Sequence, residues 1–228
     1  MIREAPDRGD GRVATDVCGG DRLDHGFQVL PTAYPEGLRR LDHNARDLRR
    51  SYQDMCLANR TVVRELETLC FWQKRLEEVD VYWAAASWDC YGWYQGDIYI
   101  PAITGARLSD LILGQHTRLT DVLRHEWAHA VADHWPHLIN IKRFVSAFGG
   151  PYESGEAVRA YDPDHHLTKY AATNPCEDFA EMFHFYLRHK GRLPTRLDNK
   201  PAIVAKWKFV HWLACRISRR HHTPLKRS

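Results

Sequence analysis

The chain has 228 residues, 44% of them hydrophobic and 27% charged, with a formal net charge of +3. That balance excludes a disordered chain and a protein driven onto polyanions by bulk charge, and the length can bury a sizeable core in one or two domains. Six cysteines (18, 56, 70, 90, 176 and 215) form no C-x-x-C pair and read as reduced thiols rather than a disulfide framework.

Residues 1–20 carry no apolar core of the kind a secretory signal needs. No apolar run approaches the ~20 residues that span a bilayer. The cytoplasm, or delivery by a route without a conventional signal, is the expected location. Residues 1–36, with Gly19-Gly20, Pro31 and Pro35, read as an irregular lead-in.

The next segment, 37–78, reads as helical. Apolar residues recur at Leu38, Leu41, Ala45, Leu48, Tyr52, Met55, Val62, Leu66, Leu69 and Leu76, and neither Gly nor Pro occurs from 38 to 91. This seam predicts one long helix, or a helical pair with a break near Asn59-Arg60-Thr61. Its stripe either packs on the rest of the chain or forms a coiled-coil arm for a partner or a second copy.

From 79 to 218 the pattern is that of an α+β domain. Val79, Val81, Trp83 and Ala85 alternate with Asp80, Tyr82 and Ala84, and Asp97–Pro101 follows a turn holding Gly92 and Gly96. These predict two strands of a small sheet, either as a core hairpin or as a strand beside a cleft that pairs with an extended peptide. Residues 107–114 read as a short helix.

The central motif is His125-Glu126-Trp127-Ala128-His129, an H-E-x-x-H within a helix from Thr120 to His134 capped near Thr120-Asp121. Leu123, Trp127, Ala130 and Val131 form its apolar stripe, and Pro136 ends it. Positions i and i+4 share a helix face, so both imidazoles can address one metal ion, with Glu126 placed to act as general base. Residues 148–163 are loop-rich.

A third ligand must come from elsewhere, because Ala132 and Trp135 break the extended H-x-x-G-x-x-H pattern. Asn174-Pro175 opens a second helix that carries Glu177 and Glu181 one turn apart and ends at His189-Lys190-Gly191. One of these carboxylates can bind the metal while the other orients a ligand histidine. Asp133, four residues after His129, can also serve in that orienting role. His165, His166 and His184 are rival third ligands. Tyr170, just upstream, can donate to an oxyanion. A last helix begins near Asp198-Asn199 with the stripe Ile203, Trp207, Val210, Ala214 and Ile217. The basic tail, 219–228, leaves room for a nucleic-acid-associated role.

The stretch from Tyr170 through Thr173-Asn174-Pro175 to Glu177-Asp178-Phe179-Ala180-Glu181, together with His125-Glu126-Trp127-Ala128-His129, resembles the gluzincins. These are zinc metallopeptidases with two His and a downstream Glu. Two groups are most similar: the catalytic domain of the lethal-factor toxin family, and a bacterial group of zinc-binding metallopeptidases with a Pro-x-Glu-Asp-aromatic-Ala-Glu segment. The resemblance covers roughly Val79 to Gly191. It implies a zincin-like domain with a small mixed sheet packed on the H-E-x-x-H helix. It implies His125, His129 and Glu177 as Zn²⁺ ligands, Glu126 as the base acting on a zinc-bound water, Glu181 behind a ligand and Tyr170 at the transition state. A toxin or effector acting on a protein or peptide substrate fits it. One departure is Ala128, where the lethal-factor group has Gly. The alternative is a zinc-holding interaction protein that works through the 38–76 helix.

Overall fold

The computed structural model describes residues 27–29, 44–84, 91–101, 118–154 and 160–219. The expectations for the rest of the lead-in, for Leu38 and Leu41, for the helix at 107–114 and for the basic residues 220–228 lie outside these residues.

Within the seam, one helix, α1 (Asn44–Thr68), runs unbroken through Asn59, and Leu69 and Leu76 lie beyond its end. Of the two readings, one helix or a pair broken near Asn59, the helix is continuous there, and the amide has a partner. Asn59 is buried, and its Oδ1 accepts from Trp127 Nε1 at 2.9 Å. Each group thereby satisfies the other in a place water does not reach. Met55, Val62 and Leu66 are fully buried within the core that holds the rest of the chain. These described positions of the seam are thus filled from within the molecule. The chain leaves the helix at Cys70, with φ 65°, and makes a 3-10 turn at Lys74–Glu78.

Among the described residues, four strands form one sheet in the order β1-β2-β4-β3: β1 (Phe27–Val29), β2 (Val81–Ala84), β3 (Gly92–Tyr94) and β4 (Asp97–Pro101). β1 arises inside the expected irregular lead-in. β2 and β4 run parallel, with Val81 opposite Ile98 and Trp83 opposite Ile100. The core hairpin is therefore β3–β4, not the two strands read from the sequence. A two-residue turn closes it, with φ 51° at Gln95 and 92° at Gly96, the positive angles that match strand twist. Among the described strands, β3 is the outer one on that side.

The H-E-x-x-H helix, α2 (Leu119–His134), lies at the centre, packed by α1, by β3 and β4, and by the second carboxylate-bearing helix. Every residue from Asp121 to Ala132 is buried, not only the stripe of Leu123, Trp127, Ala130 and Val131. A helix enclosed on all sides must pair each polar side chain with another protein group. Its N-cap is Arg118, without a side-chain bond, in place of the expected Thr120-Asp121. Asp121 instead meets Arg124 and His184.

A single turn, α3 (Pro136–Ile139), and α4 (Lys142–Phe148) follow. Then α5 (Pro175–Arg188) crosses α2, and α6 (Pro201–Arg219) covers α5 and α4. The predicted α6 stripe of Ile203, Trp207, Val210, Ala214 and Ile217 is buried as expected. Lys206 on the same helix is also buried, 2.6 Å from Asp178 of α5. The architecture is α+β, mostly helical, with a small mixed sheet. Among the described residues no helix is long and apolar enough to cross a membrane.

Candidate metal centre

The first turn of α5 is set by its cap. Asn174 accepts from the Glu177 backbone N–H at 2.9 Å, and Pro175 occupies a position where no donor is needed. Glu177 and Glu181 then share the face that meets α2. The result is two imidazoles one turn apart on one helix, facing two carboxylates one turn apart on another.

Glu177 and Glu181 sit on opposite sides of the His125 ring. Glu181 Oε1 lies 2.9 Å from Nδ1, and Glu177 Oε2 lies 3.0 Å from Nε2. His129 Nε2 completes a triangle, 3.2 Å from His125 Nε2 and 3.7 Å from Glu177 Oε2. Donor atoms of these three residues all lie within 4.8 Å of one another. The triangle's edges average about 3.3 Å, which is the edge of a tetrahedron with Zn–N/O bonds of about 2.05 Å. The donor set, two imidazoles and one carboxylate, therefore fits a zinc ion in chemistry and in spacing.

The other ring nitrogens are also engaged. Glu181 accepts from His125 Nδ1 with one oxygen and from the Thr168 hydroxyl, at 2.9 Å, with the other. His129 Nδ1 lies 2.9 Å from the Tyr152 hydroxyl and 3.4 Å from Cys176 Sγ. A proton held on each Nδ1 would leave both Nε2 atoms available to an ion beside Glu177. Asp133, read as an orienting group for His129, does not take that place. It is exposed, and Tyr152 and Cys176 occupy the Nδ1 side. Tyr152 and Thr168 carry no motif that marks them in the sequence. They arrive from loops 23 and 13 residues from their partners.

The electrostatics follow from burial and pairing. Burial opposes charge on His125, but hydrogen bonds to Glu177 and Glu181 outweigh it and push the metal-free imidazole up to about 9. His129 is raised likewise against its burial, by Cys176 and Glu177. Burial works against ionisation of Glu177 and Glu181, yet their histidine bonds hold both carboxyls well below the usual range. Tyr170 opens a 3-10 turn (Tyr170–Ala172), its ring 5.6 Å from that of His125. Burial and the charge of Glu177 push its phenol up, so it stays a proton donor at neutral pH.

Glu126, next in sequence to His125, is buried, and its Oε2 accepts from the Trp93 backbone N–H at 2.8 Å. The rival histidines do not join the triangle. His165 is exposed against Asp162, His166 lies 3.9 Å from Asp178, and His184 stands between Asp121 and Glu181. This last placement extends the site into a ladder of alternating charge. Glu65 of α1 grips Arg124 through two 2.7 Å bonds, and Arg124 bonds Asp121. Asp121 lies 3.1 Å from His184, and His184 lies 3.9 Å from Glu181, behind His125. Burial opposes charge on His184, and its two carboxylate neighbours raise it nonetheless.

No protein-family model matches the chain, and no curated protein or solved structure matches it either.

Proposed function

We propose that the protein is a zinc-dependent metalloendopeptidase with a zincin-like catalytic domain of the gluzincin type. The observation that carries the reading is the meeting of His125, His129 and Glu177 donors within 4.8 Å, beside a buried Glu126 that none of them uses. His125, His129 and Glu177 would hold the ion, and Glu181 and Tyr152 would fix the two imidazoles. When bound, zinc supplies Lewis acidity, lowering the pKa of water and polarising a carbonyl.

Glu126 takes the proton from the attacking water and returns it to the leaving amine. The Tyr170 hydroxyl, kept protonated, donates to the oxygen of the peptide carbonyl as it gains charge. The substrate is a protein or peptide, presented to the side of the sheet where β3 is the outer strand. A site closed for structural purposes usually has four protein ligands, often Cys. Three donors without a thiolate favour catalysis over a zinc-holding interaction protein.

The test compares wild type with Glu126→Gln for zinc content and for hydrolysis of labelled casein. The variant should keep its zinc and lose ~10²–10⁴-fold in turnover, the range for a general base. Full activity in Glu126→Gln sinks the assignment. Zinc binding without any cleavage in wild type returns the protein to the interaction class.

A further inference from the structure

One contact reaches Glu126 from the sheet rather than from the helices. The Trp93 backbone N–H on β3 donates to Glu126 Oε2 at 2.8 Å. Immediately before it, Gly92 has φ +86°, and a Cβ built there would stand 2.8 Å from Oε2, 3.2 Å from Cδ and 3.3 Å from Oε1 of the same carboxylate. The strand backbone is pressed against the whole carboxylate, and that closeness exists only because residue 92 has no side chain.

We infer that Gly92 and the Trp93 amide form a positioning clasp for Glu126. A glutamate has three side-chain torsions, and a base that swings loses effective concentration toward its proton. The charge-assisted N–H···O⁻ bond holds Oε2 and leaves Oε1 for proton transfer. Gly92 acts as a wall that keeps the carboxylate from rotating toward the strand. β3, the last of the described strands, thus connects the sheet to the base itself. The catalytic meaning of the clasp rests on the peptidase reading, while its geometry does not.

Gly96 supplies the control. It has φ +92° in the same hairpin, yet a Cβ there meets nothing within 4 Å. Gly92→Ala and Gly96→Ala impose similar backbone strain, and only the first touches Glu126.

Two measurements decide the matter. In the first, amide hydrogen exchange by NMR on the zinc-bound full chain, the Trp93 N–H should exchange roughly tenfold more slowly in wild type than in Glu126→Ala. In the second, labelled casein as substrate, Gly92→Ala should lower kcat by ~10²-fold, the cost of moving a catalytic group by about 1 Å. Its KM and zinc content should be unchanged, and Gly96→Ala should keep the wild-type kcat. Equal exchange in wild type and Glu126→Ala overturns the clasp. So does a Gly92→Ala kcat that holds or rises, and so does an equal kcat loss in both alanine variants. If wild type binds zinc and cleaves no casein, the peptidase reading fails, and the exchange measurement still decides whether the clasp exists.

Discussion

Replacing Glu181 with Gln separates the carboxylate that touches metal from the one behind it. The side chain is 4% exposed, and both oxygens are in use, one on His125 Nδ1 and one on the Thr168 hydroxyl. Gln keeps the length and one acceptor but removes the charge that holds His125 in its orientation. Loss of such an outer partner costs 10–100-fold in metal affinity, about 1.4–2.8 kcal/mol. Glu177→Ala instead deletes one corner of the donor triangle, and zinc should not survive dialysis. The assay is zinc competition against a chromophoric chelator for wild type and both variants, with metal analysis after dialysis. If Glu181→Gln loses zinc as completely as Glu177→Ala, or if only the Glu181 variant loses it, the division of roles drawn from the His125 ring is wrong.

Lys206→Met removes the ammonium that stands 2.6 Å from the buried Asp178 carboxylate in the native protein. The expected loss is ~3–5 kcal/mol, read as a lower urea midpoint at unchanged slope, with most of it recovered in Lys206→Met/Asp178→Leu; a single-variant loss under ~1 kcal/mol refutes it. The metal-free protein should also lose stability as pH rises. His125 is held at about 9 in the fold against an ordinary 6.5, so its contribution is full below 6.5 and is lost through about 9. Denaturation of chelator-treated protein across that window checks the sign, and zinc uptake at pH 7 should release protons, seen calorimetrically in buffers of different ionisation enthalpy. Stability that climbs over this window, or uptake without proton release, contradicts it.

The parts of the site that were legible are those that one helix encodes by itself. His125 and His129, or Glu177 and Glu181, share a face because 3.6 residues make a turn, and Asn174-Pro175 announces the start of the helix that carries the carboxylates. The choice between Glu177 and Glu181 was not legible. It depends on how α5 is rotated against α2, which no local spacing reports. Tyr152 and Thr168 were missed for the same reason, since loop residues enter the site by packing rather than by period. Asp133 looked suitable at i+4 from His129, but spacing cannot say that a tyrosine and a cysteine already fill the space. Asn59 left one helix and a helical pair both open, because a polar residue in an apolar seam reads as an interruption until its partner, Trp127, is known. The parallel pairing of β2 with β4 was equally hidden, because alternation marks a strand and not its neighbour.

The ladder from Glu65 through Arg124, Asp121 and His184 to Glu181 has a consequence for assembly of the fold. Its rungs come from three helices, α1, α2 and α5, and their signs alternate. Apolar faces alone tolerate sliding, since one leucine-sized knob fits many grooves. A slide of α1 or α5 by one turn, about 5.4 Å, would pull Glu65 from Arg124 or His184 from Asp121 and strand buried charges. The ladder therefore works as a vernier. It selects one axial register for the three helices, and that same register brings Glu177 to the two imidazoles.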